Sequence, residues 1–511
     1  MEKKRVIVGL SVAVLILSGL ACQLTSPRPA SWAGTPTAEA RAMTATMFAL
    51  TQEQVRNEEP TPAPTFTPEP LVTIAPTSTP TPIGESEGPW LVYPAPSGDA
   101  ILAYDVNTGV TLSIDLPEPI FTEDLVRGLA PDGRTLVIRA GSPLHTDELA
   151  LYQIDLPSTE ATVLTPLLSL PIQRKIVNQQ GTRVFEVLEA VTRPEGLAWS
   201  PNGMFLAFNA ALHNESSDLY VIDWLNDRII RLSGLYSQNA SPAWSPNSNW
   251  LVTQEINFLS PDEIWRSEQV TGIRVPNFDG NSTLYLPPPA SWDEKFMGWI
   301  NAQIFASYSL TEDGPSLLRQ VNVENRSVSM VFNGSFDKIA FDPVSRSLAM
   351  ILNYEKAISQ EMDGGIYLIR PDRGSMDLLR AGDWRELSWE PGGWFVATGN
   401  QGAFIFRPED EGILLPGARQ ARLSPNGNWL IAWGDETYGV PGARLYQPAT
   451  NNPLQTLMTT PVERVLWQSD SRGFFILSEG TLSHFVFPAL RPEEIIGGFV
   501  NGHEISFAWI E

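Results

Sequence analysis

Short apolar runs recur along the chain, each bounded by residues that favour turns. One unit reads Leu197-Ala-Trp199, then Met204-Phe-Leu-Ala-Phe208, then Asp218-Leu-Tyr-Val-Ile-Asp223, and finally Ile229-Ile-Arg-Leu232. The runs are rich in the β-branched and aromatic residues that suit strands. Proline, asparagine and glycine separate them and favour tight turns. The pattern predicts four antiparallel strands in each unit.

The first run of each unit carries a signature built around an aromatic or large apolar residue. In its full form the signature continues into Ser-Pro-Asn-Gly, and from Trp199 onward the aligned positions are separated by 45, 55, 42, 48, 34, 44 and 42 residues. Repeats of roughly 40 to 50 residues with four strands each are typical of β-propeller blades. The sequence therefore predicts an all-β fold, a single β-propeller of eight to nine four-stranded blades. The nine aligned segments begin at Leu129, Leu197, Pro242, Met297, Ile339, Leu387, Arg422, Val465 and Ser506.

The two ends of the repeat region complement each other. The run that starts at Trp90 supplies second, third and fourth strands without a first strand, whereas Ser506-Phe-Ala-Trp509 supplies a first strand with nothing after it. Pairing the two would close the ring and remove exposed sheet edges. We expect the propeller to span residues 88–511. We expect the signature tryptophans to pack between neighbouring blades rather than to stack on a ligand.

The first residues have the pattern of an export signal. A basic segment, Lys3-Lys-Arg5, precedes the largely apolar stretch Val6 to Leu20, which is short for a membrane span. The segment ends in Ser18-Gly-Leu-Ala-Cys22, which resembles a bacterial lipoprotein box and contains the only cysteine of the chain. This resemblance implies a signal peptide over 1–21 and lipidation of Cys22, so that the protein is exported and anchored to a bacterial cell membrane or outer envelope. An ordinary cleaved signal peptide and an uncleaved anchor are the alternatives.

Residues 22–87 have the composition of a disordered tether. Pro60 to Pro70 and Pro76 to Pro82 are low-complexity proline and threonine sequence. Prolines at this density favour extended polyproline II, at about 3.1 Å per residue. The segment is expected to hold the propeller away from the membrane surface.

The repeat region resembles TolB-type, WD-repeat-like β-propellers. The resemblance rests on Trp199-Ser-Pro-Asn-Gly203 and on the strand Leu219-Tyr-Val-Ile-Asp223. It implies the fold but no particular function, because propellers host many unrelated functions. TolB carries a separate α/β domain before its propeller, and residues 23–88 do not provide one. A role in the Tol-Pal system is therefore not implied.

Charge and composition exclude several classes of function. The chain has 58 acidic and 34 basic residues, a net charge of −24, which argues against nucleic-acid binding because basic patches drive that binding. Its four histidines have no metal-ligand spacing, so we expect no metal and no cofactor. The string Gly84-Glu-Ser86-Glu-Gly88 lacks the strand and helix that a nucleophile elbow needs. We assign no catalytic residue.

Long connections point to one end of the blades as the binding face. Connections between second and third strands, and links between blades, share the end opposite the tight turns, and long loops on a rigid scaffold commonly carry binding residues. The longest, Thr165 to Pro194, is expected to form an extra strand pair or, preferably, a cap over the central channel. The candidate binding residues on this face are His213, Glu215, Tyr354, Glu355, Asp435 and Tyr438.

Two functional classes remain open. The first is a non-catalytic scaffold, anchored in the membrane through Cys22, that binds a protein, a peptide or a glycan. The alternative is an envelope enzyme of the glycan hydrolase or lyase type that uses the channel. That enzyme would need paired carboxylates about 5 to 10 Å apart beside a pocket, and acids such as Glu255 and Glu355 lie in suitable loops.

Overall fold

The computed structural model describes residues 88–142, 149–156, 158–178, 183–213, 216–233, 238–258, 266–274, 283–284, 293–311, 314–342, 344–371, 373–434, 442–448, 452–500 and 506–510. The predicted signal peptide, Cys22 and the tether lie outside these residues. Within the described residues the chain forms 35 strands and four short helices. None of these helices is both long and apolar enough to cross a membrane.

The strands form eight four-stranded sheets and one three-stranded sheet, all antiparallel, among the described residues. Sheet 1 contains β1 (Trp90–Pro94), β2 (Ala100–Asp105), β3 (Thr111–Asp115) and the last strand, β35 (Ala508–Ile510). Sheet 2 contains β4 (Thr135–Ala140), β5 (Ala150–Asp155) and β6 (Glu160–Pro166). Sheet 3 contains β7 (Leu197–Trp199), β8 (Phe205–Ala210), β9 (Asp218–Asp223) and β10 (Arg228–Arg231).

The remaining sheets each use four consecutive strands. Sheet 4 contains β11 (Gln238–Trp244), β12 (Trp250–Phe258), β13 (Arg266–Arg274) and β14 (Thr283–Leu284). Sheet 5 contains β15 (Glu294–Trp299), β16 (Ile304–Thr311), β17 (Gly314–Asn322) and β18 (Val328–Ser335). Sheet 6 contains β19 (Lys338–Phe341), β20 (Leu348–Leu352), β21 (Gly365–Arg370) and β22 (Ser375–Ala381). Sheet 7 contains β23 (Trp384–Glu390), β24 (Trp394–Gly399), β25 (Gly402–Phe406) and β26 (Ile413–Leu415). Sheet 8 contains β27 (Gln420–Leu423), β28 (Leu430–Gly434), β29 (Gly442–Tyr446) and β30 (Gln455–Met458). Sheet 9 contains β31 (Val462–Trp467), β32 (Gly473–Ser478), β33 (Thr481–Val486) and β34 (Glu493–Gly497).

The turn between the first and second strands follows from its sequence. In sheet 3, Gly203 adopts a φ of +71°, which glycine tolerates at little cost. Its N–H donates to the Ser200 carbonyl at 2.8 Å, and the Ser200 hydroxyl accepts the N–H of Phe205 at 2.9 Å. The turn therefore satisfies its own polar groups, as the Ser-Pro-Asn-Gly motif predicts.

Nine apolar clusters of described residues hold the sheets together. Each joins two sheets that are consecutive in the chain or, in one case, the last sheet to the first. Phe208 of sheet 3, for example, packs in the cluster shared with Leu151 of sheet 2. The cluster between sheets 9 and 1 contains Leu91, Phe475 and Leu477. In the same place β35 pairs with β1, with Leu91 opposite Trp509. The pairing of the two chain ends that the sequence predicts is therefore present.

Four of the signature tryptophans, Trp199, Trp244, Trp299 and Trp467, bridge neighbouring sheets through their indole N–H groups. Trp199 donates to the Gly128 carbonyl at 2.7 Å, and Trp244 donates to the Ala198 carbonyl at 2.9 Å. Trp299 and Trp467 make the corresponding bonds to sheets 4 and 8 at 3.3 Å. Each of these four rings is thus fixed against the preceding sheet, three of them at its first strand and Trp199 at Gly128, in the segment before β4, in agreement with the predicted packing role.

Sheet 2 departs from the predicted four strands. The helix α1 (Asp124–Arg127) interrupts the segment where its first strand was expected, and Leu129 forms only an isolated bridge with Leu136. The Asp124 carboxylate accepts the backbone N–H of Arg139 at 3.0 Å, a hydrogen bond that a backbone carbonyl of a regular first strand would otherwise accept. The count of nine repeats agrees with nine sheets, but one of them has three strands.

The other helices lie at the end where the long connections are. They are α2 (Leu170–Val177) and α3 (Arg183–Thr192) between sheets 2 and 3, and α4 (Tyr354–Ser359) between β20 and β21. Of the two alternatives for the Thr165 to Pro194 insertion, the less favoured one, an extra strand pair, is wrong, because the described residues between β6 and β7 form α2 and α3. The cap over the central channel stays a prediction. The buried insertion residues Ile172, Ile176 and Val187 join the apolar cluster between sheets 2 and 3. We call this end, with its long connections, the long-loop face.

Candidate binding surface

Three of the six candidate binding residues lie in the described part of the chain, and they are not all in the same sheet. Glu215, Asp435 and Tyr438 lie outside the described residues, as does the predicted lipidation site Cys22. His213 follows β8 of sheet 3. Tyr354 and Glu355 belong to α4, which connects β20 and β21 of sheet 6. The described candidates therefore divide between two sheets of the long-loop face.

The exposed His213 contacts the neighbouring strand through its ring. Its ring stacks on Tyr220 with centroids 5.9 Å apart, and its Nδ1 lies 2.8 Å from the Tyr220 hydroxyl. Burial lowers the pKa of His213, and the nearby positive charge of Arg231 lowers it further. These contacts join His213, which follows β8, to Tyr220 of β9.

An ion pair lies close to this histidine. Asp218 is fully buried, and its carboxylate lies 2.8 Å from Nη2 of Arg231. Burial raises the pKa of Asp218 to about 6, and the charge of Arg231 opposes this rise only in part. The carboxyl group of Asp218, at the end of β9 nearest the long-loop face, therefore changes its protonation state at about pH 6.

The helix α4 is tied firmly to the link between sheets 5 and 6. The Asn353 side chain caps its first turn by accepting the N–H of Lys356 at 2.9 Å. Asp337 accepts the backbone N–H of Asn353 at 2.6 Å and lies 3.1 Å from Nζ of Lys356. At the other end, Gln360 donates to the Ser335 carbonyl at 2.7 Å. Four side chains therefore hold a helix of only six residues in one position.

This helix presents two large apolar side chains to solvent. Tyr354 is 73% exposed and Ile358 is 57% exposed. Residues four apart lie on the same side of a helix, so the two side chains form one exposed pair. The other tyrosines in the described part of the chain are buried or half-buried. Tyr354 is thus the tyrosine of the described residues that solvent reaches most readily.

The insertion α2–α3 depends on an ion pair that the sequence analysis missed. Arg139 and Asp124 are both fully buried, and two guanidinium nitrogens of Arg139 each lie 2.7 Å from the carboxylate. Nη1 of Arg139 also donates to the Val191 and Arg193 carbonyls at 2.8 and 2.9 Å, at the end of α3. A Cβ at Gly196 would lie 2.4 Å from this nitrogen, so the guanidinium also requires glycine there.

A sequence signal for these helices was present. Ile172 and Ile176 are four residues apart, and Val184, Val187 and Val191 follow a helical period. Leu170 and Val177, at the two ends of α2, are 59% and 52% exposed. They add exposed apolar surface to the long-loop face.

The opposite end of the sheets is more uniform. It consists of the tight turns between first and second strands and between third and fourth strands. Leu225 and Val344 are its most exposed large apolar residues within the described chain, at 74% and 82%. Each stands alone in a turn, whereas Tyr354 and Ile358 form a pair on a helix.

The described residues contain no cluster of potential metal ligands. No group of three or more His, Cys, Asp or Glu side chains comes close enough to hold a metal there. The candidate acids Glu255 and Glu355 belong to β12 of sheet 4 and to α4 of sheet 6. No observation in the described part of the chain favours the glycan-cleaving alternative.

Comparisons with known proteins support the fold and leave the function open. No family model matches the chain, and no curated protein matches its sequence. A crystal structure of the eukaryotic initiation factor has a TM-score of 0.51 at 12% identity, over 83% of this chain and 98% of that chain. With the succession of eight four-stranded sheets and one three-stranded sheet among the described residues, this likeness establishes the architecture. The fold is a β-propeller.

Two further solved structures are similar at lower scores. Oligogalacturonate lyase in complex with manganese has a TM-score of 0.38 at 12% identity, over 76% of this chain and 92% of that chain. TolB from Acinetobacter baumannii has a TM-score of 0.31 at 12% identity, over 63% of this chain and 62% of that chain. The former is an enzyme and the latter is the protein that the sequence resembles, so the neighbours do not decide between the two functional classes.

Proposed function

We propose that this protein is a non-catalytic binding scaffold, a β-propeller that presents its long-loop face to a partner protein. The observation that carries the proposal is the exposed pair Tyr354 and Ile358 on the fixed helix α4. Tyrosine is enriched among the residues that contribute most to protein interfaces. A rigid aromatic side chain also loses little conformational freedom on binding.

The pair can contribute a substantial part of the free energy of binding. Full burial of one such side chain contributes about 1.5–3 kcal/mol. Because hydrogen bonds and an ion pair already fix α4, partner binding spends little free energy on ordering the helix. Loss of both side chains should therefore weaken binding by at least about tenfold, at 1.4 kcal/mol per factor of ten.

The scaffold is proposed to be a closed ring. Support comes from the pairing of β35 with β1 and from the apolar cluster that joins sheets 9 and 1. Closure removes sheet edges at the junction and makes the chain ends depend on each other. A closed ring would keep the long connections of all nine sheets at fixed positions.

The scaffold is also proposed to be exported and anchored through lipidated Cys22. Support comes from the basic and apolar segments before this cysteine and from its position as the only cysteine. The proline-rich sequence before residue 88 would then separate the propeller from the membrane. An anchored scaffold of this kind would meet partners at the cell envelope.

Site-specific photo-crosslinking tests the binding proposal. A photoreactive amino acid is placed at position 354, or at position 225 as a matched exposed control on the opposite face, in the full chain within the cells that produce it. We expect a discrete crosslinked product from position 354 that disappears when Ile358→Ser is added. Equal products from both positions, or none from 354, would contradict the proposal.

A further inference from the structure

The exposed apolar pair on α4 is bordered by acidic side chains. Glu355 lies in the first turn of the helix, and Glu361 and Asp363 lie in the turn that follows it. All three are exposed. None of the three has an ion-pair partner among the described residues. The border of the pair therefore carries three negative charges that no described cation neutralises.

The nearby cations are already paired within the protein. Lys356 lies 3.1 Å from the Asp337 carboxylate and donates to the Phe336 carbonyl at 2.8 Å. Lys338, on the neighbouring strand β19, lies 3.2 Å from the Glu386 carboxylate. The ion pairs reduce what either lysine can contribute to a partner. The surface around Tyr354 is therefore apolar at its centre and acidic at its edge.

The charge of the whole molecule reinforces this local pattern. A net charge of −24 gives the protein a negative field that attracts cationic partners and repels anionic ones. Complementary charge at the rim of an interface raises the association rate and selects among partners. An acidic rim around an apolar pair fits a segment that combines lysine or arginine with large apolar side chains.

We infer that α4 and its acidic border bind a basic, apolar protein segment. The inference rests on the proposed binding function and specifies its partner by charge. An acidic segment would meet three uncompensated carboxylates, and an anionic lipid surface would meet the same repulsion. The Tyr354 and Ile358 side chains would bury against the apolar residues of the segment, and Glu355, Glu361 and Asp363 would lie beside its cations.

A random dodecapeptide display library, selected on the purified full chain, tests this inference. We expect the selected peptides to combine Lys or Arg with large apolar residues. Their affinity should fall at least tenfold in Tyr354→Ala/Ile358→Ser. It should also fall by about fivefold to thirtyfold in the neutralised variant Glu355→Gln/Glu361→Gln/Asp363→Asn, and on raising the salt from about 0.05 to 0.5 M. Leu225→Ser, an exposed apolar change on the opposite face, is the matched control and should leave binding unchanged.

The possible outcomes separate this inference from the proposed function. Peptides that need Tyr354 and Ile358 but are not basic, and that bind the neutralised variant equally well, would overturn the charge assignment and leave the binding function intact. If no selected peptide depends on Tyr354 and Ile358, both the binding function and its partner assignment fail. Unchanged thermal melting of each variant shows that the fold is retained during these measurements.

Discussion

Removal of the Arg139 guanidinium should loosen the long-loop face more than any surface change. Arg139→Met keeps the aliphatic stem but removes the bonds to Asp124, Val191 and Arg193. The Asp124 carboxylate, which is fully buried, would lose its countercharge and keep only the N–H of residue 139. Leaving one partner of a buried ion pair in place typically costs about 3–5 kcal/mol.

The double variant Asp124→Asn/Arg139→Met separates the charge from the hydrogen bonds. It leaves no buried charge, so it should recover about half of the loss in the free energy of unfolding. Full recovery is not expected, because the Val191 and Arg193 carbonyls still lack their donor and each unpaired buried group costs about 1–3 kcal/mol. Arg472→Met is the matched control, since Arg472 is 85% exposed and lies 3.7 Å from Asp470. An exposed pair of this kind contributes less than about 1 kcal/mol.

Two measurements check this prediction. Urea unfolding followed by tryptophan fluorescence gives the change in the free energy of unfolding. Hydrogen exchange of residues 183–196 shows whether α3 loses protection, since Arg139 bonds the carbonyls at its end. A loss below about 1 kcal/mol in Arg139→Met, or a double variant no more stable than the single one, would refute the reasoning.

Four further predictions follow from other parts of the chain. The pKa of Asp218 is raised to about 6 in the folded protein, so between about pH 4 and 6 this carboxyl is protonated in the folded chain and ionised in the unfolded chain. Its contribution to the free energy of unfolding therefore falls as the pH rises through this range. Measured by urea unfolding, the free energy of unfolding of Asp218→Asn should therefore rise relative to that of the unsubstituted protein by at most about 3 kcal/mol between pH 4 and 7. A difference between the two proteins that does not change with pH would contradict the assignment. Asn209 is fully buried with no partner for its amide, whereas Gln254, at the corresponding place in sheet 4, donates to the Glu294 carbonyl of the next sheet. Asn209→Gln should raise the free energy of unfolding by about 1 kcal/mol in the same assay, and a loss would show that the longer amide does not reach sheet 4. Removal of residues 504–511 takes away β35 and the buried Phe507 and Ile510, so thermal melting should show a loss of at least about 3 kcal/mol, and an unchanged transition would argue against a closed ring. Cys22→Ser should move the protein from the membrane fraction to the soluble fraction and abolish incorporation of labelled fatty acid, and retention of the label would contradict lipidation at this residue.

Local signals made the repeating part of the fold predictable. The geometry of the Ser-Pro-Asn-Gly turn depends on a few consecutive residues. The indole N–H of Trp199 or Trp244 finds its hydrogen-bond acceptor in the preceding sheet. Counting these signatures limited the number of sheets to eight or nine, and the run at Trp90 without a first strand predicted the pairing of β35 with β1. Such features depend on residues that are close in sequence or repeated at a constant interval.

The exceptions depend on contacts between distant residues. The pattern at Leu129 is that of a first strand and a turn, but Asp124 and Arg139 allow a helix to replace most of that strand. The helix α4 has six residues, too few for a periodic signal, and its position depends on Asp337 and Gln360. The sequence located Tyr354 in a long loop, but its exposure and its pairing with Ile358 follow only from the folded chain.

The tight-turn end shows why binding is better placed on the other face. At the glycine position of this turn, sheets 4 and 9 carry Ser248 and Ser471, with φ values of 59° and 60°. Their hydroxyls accept the backbone N–H groups of Asn202 and Asn426, in the preceding sheets, at 3.1 Å. At both positions a serine therefore occupies a strained backbone conformation, and its hydroxyl links two neighbouring turns. Because this face uses its turn residues to join sheets, a change made there for a partner would disturb the packing of two sheets. The long-loop face carries α4 outside the sheets, so Tyr354 and Ile358 can change without that cost.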